Sequence, residues 1–394
     1  MPPIPKDYLE RLYAGFIGKN VGIRLGAPVE PAIWTYERIR DVYGDIRGYI
    51  KPYRNFAADD DANGPVFFVN ALLDKIEPGA AEGRAAPRLE PLDVERAWLE
   101  YARDGIGMFW WGGYGKSTEH TAYLNMKHGI HAPESGSIAR NGAIVAEQIG
   151  GQIFIDTWGL LWPGRPLEAA RHAAIAASVS HDGDGLNGAR FIAACIAAAF
   201  VEKSVGAVFA AGLAAVPPDS AYARVVRAVE SFHSARPEDF RPCMEMLLSE
   251  WGYDKWPGLC HMIPNAGVCA LALLYGEGDF ARSVEIATMC GWDTDCNAGN
   301  VGTILGVLCG IGAIPERYRA PINDSIVLSS VSGTLNILDI PTFSRRLAAL
   351  GYMLAEEKAP EGLEPFARES EAIRFDFALP GSTHGLRVTS PTSF

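Results

Sequence analysis

Residues 291–306 read GWDTDCNAGNVGTILG, and this segment says more about the fold than any other in the chain. Asp293 and Asp295 stand at the start of a run with helical spacing, so both are expected in the first turn of a helix. The glycines and alanine that follow are small enough to let a neighbouring helix approach closely. The segment therefore predicts a tightly packed helix that begins at an acidic site.

A second acidic cluster, Asp59, Asp60 and Asp61, also precedes a helical pattern. Aspartate is a good N-cap, so a capped, solvated helix turn explains either cluster taken alone. Adjacent carboxylates repel one another, however, and three in a row stay ionised beside a packed helix start only if a cation compensates them. Because hard oxygen ligands suit magnesium, manganese or calcium, we predict that the two clusters converge and hold two divalent cations.

Apolar residues recur at helical spacing along most of the chain, which predicts an all-α protein. Alanine-rich stretches in the middle third favour a compact helical bundle, because small side chains let helices pack closely. Period-two alternation near the C-terminus predicts a short β-hairpin formed by 373–377 and 386–388. We expect a single all-α domain over 1–355 and a C-terminal extension with this hairpin over 356–394. The segments with helical spacing include 66–76, 140–155, 167–179, 188–202, 204–216, 264–275, 280–290 and 298–313.

The 394 residues include 35 basic and 47 acidic side chains, which give a formal net charge of −12. This charge offers little electrostatic support for binding nucleic acid or an anionic membrane surface. No apolar stretch reaches the roughly 20 residues of a membrane span, and the first residues lack the pattern of a secretory signal. The seven cysteines form no CxxC pair, which is typical of reduced thiols. We expect a cytoplasmic monomer.

The motifs resemble those of the ADP-ribosylglycohydrolase superfamily. GWDTDCNAGNVGTILG is similar to the family signature GxDTDxxAxxxGxxxG, and GFIGKNVGIRLGAPVE at 15–30 resembles the family's GxxxGDALGxPxE opening. The sequences DDDxN at 59–63 and GWDTDCN at 291–297 suggest a divergent branch of this superfamily. The resemblance implies an all-α, compact orthogonal bundle of the ADP-ribosylglycohydrolase type. It also implies two Mg²⁺ ions, or Mn²⁺ or Ca²⁺ in their place, and hydrolysis at the anomeric carbon of ADP-ribose or a related ribosyl group.

The same resemblance assigns roles to individual residues. Asp60 and Asp61 match one pair of metal-binding carboxylates, and Asp293 and Asp295 match the other. Asp59 occupies the position of a threonine ligand. The catalytic residues implied are Glu30, which matches the glutamate at the scissile bond, together with Asp60 and Asp61. Cys296 also stands where most members have a threonine ligand, and a thiol is a poor partner for magnesium.

Further residues are expected to bind the substrate. Gly112–Gly115 resembles the family's phosphate loop, Asn141 begins its NGA segment, and His181 ends its Thr-His pair. Trp292 adjoins the metal motif, and the amides of Asn63 and Asn297 lie near the two acidic clusters. The predicted substrate-binding set is Asn63, Gly113, Tyr114, Gly115, Asn141, His181, Trp292 and Asn297.

Three other functions remain open on the sequence. One is an O- or N-glycosidase for a nucleoside or carbohydrate without a diphosphate, which predicts no phosphate nest near Gly113–Gly115. Another is a dinuclear-magnesium pyrophosphohydrolase, because clustered carboxylates on an all-α scaffold also cleave pyrophosphates. The last is a binding protein without turnover. Family membership carries over fold and site chemistry better than it carries over the identity of the substrate.

Overall fold

Helices make up most of the protein, as the sequence predicts. The computed structural model describes residues 3–53, 56–58, 60–76, 86–107, 109–110, 112–363 and 378–383. Helices in the first half are α1 (Tyr8–Gly26), α2 (Tyr36–Tyr43), α3 (Asp60–Phe67), α4 (Asn70–Leu73), α5 (Pro91–Tyr101), α6 (Thr118–Lys127), α7 (Ile138–Asn141), α8 (Ala143–Ala146), α9 (Gly150–Ile153), α10 (Asp156–Leu160), α11 (Pro166–Ala177) and α12 (Asp184–Ala199). They are followed by α13 (Val205–Ala214), α14 (Ala221–Ala235), α15 (Arg241–Trp251), α16 (Met262–Gly276), α17 (Phe280–Met289), α18 (Thr294–Cys309), α19 (Glu316–Arg319) and α20 (Ile340–Leu354).

Helices α1 and α18 run antiparallel, side by side, with their backbones in contact. A Cβ atom added to Gly22 would overlap the carbonyl oxygen of Ala298, and one added to Gly18 would overlap that of Gly302. Nearly every residue of both helices is buried. Only glycine leaves enough room for this approach, and it brings the C-terminal end of α1 against the first turn of α18. The small residues that the sequence analysis noted therefore define the central helix pair.

A buried ion pair joins this pair of helices to α10. The Nζ of Lys19 lies 2.9 Å from Oδ2 of Asp156, and both side chains are inaccessible to solvent. Thr303 donates a 2.6 Å hydrogen bond to Oδ1 of the same carboxylate, and Asn300 donates one of 3.1 Å to Oδ2. A buried charge requires such partners, so this network fixes the register of the three helices.

A small sheet, which the sequence analysis did not predict, stands immediately before the first acidic cluster. Strand β1 (Ala57–Ala58) pairs in parallel with β2 (Ser325–Leu328), which pairs in antiparallel fashion with β3 (Ile337–Asp339). Strands of two to four residues are too short to show a hydrophobic period. Their effect is to tie the chain that enters α3 to a segment more than 200 residues further along.

Two of the helical predictions were wrong in extent. The segment 140–155 forms three short helices, α7 to α9, because Gly142 adopts a φ of +80° and interrupts the first two. The segment 66–76 overlaps α3, which already begins at Asp60, and the separate short helix α4. The other six segments coincide with α11, α12, α13, α16, α17 and α18 to within a few residues at each end.

Helix α20 packs against α1 and closes the described bundle. The rings of Phe16 and Phe343 lie 5.2 Å apart, and those of Tyr8 and Tyr352 lie 5.8 Å apart. Both strands of the predicted hairpin, 373–377 and 386–388, fall outside the described residues, so that prediction and the boundary at 355 stay predictions. Among the described helices, none is both long and apolar enough to cross a membrane.

Candidate metal centre and cleft

The two acidic clusters meet at one side chain, Cys296. Its Sγ and one oxygen each of Asp60 and Asp61 lie within 4.8 Å of one another. The same holds for its Sγ and one oxygen each of Asp293 and Asp295. The fold thus brings together all four of these predicted ligands, although the two pairs are far apart in the sequence. Asp59 lies outside the described residues.

The first turn of α18 positions one half of this centre. Asp293 occupies the N-cap position, where the helix dipole favours negative charge. Thr294 donates a 2.9 Å hydrogen bond to the carbonyl of Gly26, so the turn is anchored to the end of α1. The preceding residue, Trp292, has a φ of +61°, which is rare for a residue with a side chain. Such conformations cost about 1–3 kcal/mol and cluster at functional sites.

The donor set fits a divalent cation. Asp61 and Asp295 are at most 1% exposed and Cys296 is 4% exposed, so these groups are held together away from water. Burial raises the pKa of the Cys296 thiol well above its usual range, and the four neighbouring aspartates raise it further. Crowding anionic oxygens around a buried sulfur is unfavourable without positive charge, and a cation with two charges supplies it.

A cleft of about 690 Å³ opens over these clusters, a size suited to a nucleoside or a small glycoside. Glu30, which follows a 3₁₀ turn over Ala27–Val29 at the end of α1, lines this cleft. The acidic side chains around it, among the described residues, are Glu30, Glu37, Asp60, Glu119, Asp293 and Asp295. Lys116 is the one lysine or arginine that the described part of the wall contains.

Aromatic rings form another part of the wall. Trp292 stacks on Tyr253 with ring centroids 5.3 Å apart, and both residues line the cleft. The Tyr253 hydroxyl lies 3.1 Å from the Sγ of Cys260, and that thiol donates a 2.8 Å hydrogen bond to Oδ2 of Asp293. This chain of contacts connects the aromatic surface to the candidate metal centre. Flat aromatic faces of this kind stack on sugar rings and bases.

Three of the amides predicted to bind substrate do not line the cleft. Asn63 accepts a 2.9 Å hydrogen bond from the backbone of Ser330. Asn297 is fully buried and donates to Asn265 at 2.8 Å. Asn141 binds the neighbouring Asn125 and the Ser135 backbone. Each of these side chains is hydrogen-bonded within the fold and does not face the cleft.

One backbone amide of the segment predicted as a phosphate loop is already hydrogen-bonded, and so are the two amides that follow the segment. The N–H of Gly115 donates to Oγ1 of Thr121 at 2.8 Å, and those of Lys116 and Ser117 donate to the carbonyl of Gly113 at 3.2 and 2.8 Å. Gly112 lines the cleft, whereas Gly113, Tyr114 and Gly115 do not, and Tyr114 is 61% exposed. The Gly-rich turn serves as the start of α6, since Ser117 caps that helix.

The sequence analysis missed Glu119, whose carboxyl group lies beside the buried imidazole of His181. Glu119 lines the cleft, and its Oε1 lies 3.8 Å from Nε2 of His181, which does not reach the cleft. Ser117 donates a 3.1 Å hydrogen bond to the other carboxyl oxygen. Burial raises the pKa of Glu119 to about 7, with a further contribution from Asp293, and burial lowers the pKa of His181 to about 3. Glu119 is therefore a carboxyl group that exchanges its proton near neutral pH in the metal-free protein.

Replacing Glu119 by glutamine should change the pH dependence of stability in metal-free protein. An ordinary glutamate loses its proton near pH 4.5, whereas folded Glu119 keeps it to about pH 7. The wild type therefore loses stability as the pH rises through this interval, because only the unfolded chain ionises freely. Glu119→Gln should be more stable than the wild type by about 3 kcal/mol at pH 8 and nearly equal to it at pH 4.5.

Thermal unfolding in the presence of a chelator at both pH values measures this difference. The matched control is Glu202→Gln, made at an exposed glutamate. An equal gain at pH 8 in the control variant would contradict the explanation by burial at Glu119.

The all-α bundle carries a cleft lined by clustered carboxylates, which is the kind of site that binds divalent cations in metal-dependent enzymes. The ADP-ribosylglycohydrolase family model matches residues 4–352, so the chain belongs to this family of metal-dependent enzymes that hydrolyse glycosidic bonds. This confirms the family, the fold class and the enzyme class that the sequence predicts.

A solved structure described as an "ADP-ribosylglycohydrolase-related protein complex" superimposes with a TM-score of 0.54 at 17% identity. The match covers 89% of this chain and 100% of the other. At this identity the likeness supports the fold. A comparison with curated proteins gave no match.

Proposed function

We propose that this protein is a divalent-cation-dependent glycosidase that cleaves the bond at the anomeric carbon of a ribosyl or ADP-ribosyl substrate, free or attached to protein. The observation that carries the proposal is the meeting of Asp60 and Asp61 with Asp293 and Asp295 around one buried side chain at a cleft that Glu30 also lines. Hydrolysis of a ribosyl bond passes through an oxocarbenium-like state, and carboxylates placed beside the anomeric carbon stabilise its positive charge.

Two Mg²⁺ ions are the proposed cofactors, with Mn²⁺ or Ca²⁺ as substitutes. Asp60 and Asp61 would hold one ion and Asp293 and Asp295 the other. Bound divalent cations would act as Lewis acids that orient sugar hydroxyls and make a water molecule more acidic. Bound cations would also relieve the mutual repulsion of the four carboxylates, which favours their binding.

Two carboxyl groups of the cleft, Glu30 and Glu119, would each carry out one of the two proton transfers of the reaction. Glu30 would accept a proton from the attacking water at its carboxylate oxygen. Glu119, whose pKa burial raises to about 7 in the metal-free protein, would donate its own proton to the departing group. The stacked rings of Trp292 and Tyr253 would hold an apolar face of the substrate and exclude water from one side of the cleft.

The composition of the cleft favours a second candidate, a glycoside or nucleoside without a diphosphate. Six acidic side chains and one lysine line the described wall, and three successive amides of the turn at Gly115–Ser117 are already hydrogen-bonded. A diphosphate would therefore meet little positive charge beyond that of the bound cations. A neutral sugar would need only the carboxylates, the cations and the aromatic face.

Product analysis tests both candidates. The purified protein would be incubated with magnesium, with manganese and with chelator against ADP-ribosyl-arginine, ADP-ribosyl-serine, O-acetyl-ADP-ribose, nucleosides and aryl glycosides. Cation-dependent release of free ADP-ribose supports the ADP-ribosyl substrate, and release of a simpler sugar alone supports the second candidate. Release of nucleoside monophosphate indicates a pyrophosphohydrolase. Thermal stabilisation by a ligand that is never turned over indicates a binding protein.

A further inference from the structure

The central position of Cys296 has a consequence for the choice of metal. Its Sγ belongs to both groups of converging ligand atoms, one with Asp60 and Asp61 and one with Asp293 and Asp295. No other described side chain is shared by the two groups. The sulfur therefore lies between the carboxylate pairs, within reach of a cation held by either pair.

Sulfur and carboxylate oxygen select different cations. Magnesium and calcium take oxygen ligands almost exclusively, whereas zinc, cobalt and iron accept a thiolate together with carboxylates. A site that contained only the four aspartates would suit magnesium. With a buried sulfur at its centre, the same site has lost that preference.

We propose that Cys296 is a ligand in this centre and that at least one of its cations is a first-row transition-metal ion such as Zn²⁺, Co²⁺ or Fe²⁺. The inference rests on the proposed cation-dependent function and puts a thiolate-binding ion in place of magnesium in at least one of the two positions. On binding, the thiol releases its proton to solvent and its sulfur forms the bond to the metal, with no change in oxidation state. The two charges of the cation compensate the thiolate and the neighbouring carboxylates.

A second thiol in the cleft supplies a matched control. Cys260 donates a hydrogen bond to Asp293 at 2.8 Å but belongs to neither group of converging ligand atoms. It is also held by Tyr253, whose hydroxyl lies 3.1 Å away. Cys260 is thus a thiol of the same cleft that the proposal does not assign to the metal.

The test is a titration of the full-length, chelator-treated protein with Co²⁺ alone. A thiolate ligand gives an intense near-ultraviolet charge-transfer band, whereas oxygen ligands do not. We expect the band in the wild type and in Cys260→Ser, and its loss in Cys296→Ser and Cys296→Thr. Competition between Zn²⁺ and Mg²⁺ gives a second readout. Since changes to supporting groups alone cost 10–100-fold in metal affinity, the preference for Zn²⁺ should fall by at least about tenfold in Cys296→Thr.

Three results would overturn the proposal. They are a wild type without the band, a band that persists in both Cys296 variants, and loss of the band in Cys260→Ser. Circular dichroism of each variant establishes that it is folded. Because no substrate is used, the outcome is separate from that of the proposed function. If cobalt binds through Cys296 but the protein cleaves no glycoside, this inference stands and the proposed function fails. If the protein cleaves a glycoside with magnesium but shows no thiolate band, the proposed function stands and this inference fails.

Discussion

Replacing Asp293 by asparagine should lower kcat/KM for glycoside hydrolysis by about a hundredfold or more. Asp293 lies within 4.8 Å of both Asp295 and Cys296 in the candidate metal centre, and it lines the cleft. A Lewis-acid cation stabilises a transition state by several kcal/mol, and each 1.36 kcal/mol is a factor of ten in rate. Asparagine keeps the shape of the side chain and an oxygen that can accept the hydrogen bond from Cys260. The loss would therefore report on charge rather than on packing.

A second readout distinguishes loss of the cation from a folding defect. Because one of several crowded negative charges is removed, metal-free Asp293→Asn should unfold at the same temperature as the wild type or a higher one. The stabilisation that added cation gives the wild type should shrink in the variant. Asp239→Asn, at an exposed aspartate paired with Arg241, is the control and should retain both activity and metal response. Full activity of Asp293→Asn after chelation and readdition of cation would refute the role of Asp293.

Replacing Gly22 by alanine should destabilise the protein by about 4 kcal/mol, enough to threaten folding in a typical domain. The added methyl would overlap the backbone of Ala298, which cannot rotate away as a side chain end would. Overpacking of a rigid contact forces the backbones apart, and α1 and α18 touch along their whole length. Separation would also move the first turn of α18, since Gly26 lies against the backbone of Asp295.

The matched control for Gly22 is Gly206→Ala in α13. A Cβ atom at Gly206 meets nothing within 4 Å, and alanine is the better helix former by about 1 kcal/mol. This variant should therefore be as stable as the wild type or slightly more stable. Chemical denaturation of the two variants measures the contrast. Equal stability of Gly22→Ala and the wild type would show that α1 and α18 can separate without penalty.

How much of the site could be predicted varies with the kind of residue. The aspartates at 60, 61, 293 and 295 were identified because clustered carboxylates at two helix starts repel one another and because both clusters match metal-binding motifs of the family. Glu119 was missed because a lone glutamate in a helix carries no such signal, and its proton affinity comes from burial beside Asp293. Conversely, the sequence analysis assigned the amide of Asn141 to the substrate, whereas in the fold it is hydrogen-bonded to Asn125 and to the carbonyl of Ser135.

The sequence by itself determined the helical character, the central small-residue helix and the two acidic clusters. Each of these features follows from the local spacing of residues, because helix geometry places residues of a given spacing on the same face or in the same turn. Only the tertiary structure decided that the clusters meet at Cys296, that Glu119 and not His181 lines the cleft, and that the turn at Gly113–Gly115 leaves it. These facts depend on which distant backbones approach one another. The contact of α1 with α18 brings these distant segments together, and the burial of their side chains follows from it. No local sequence pattern predicts that contact.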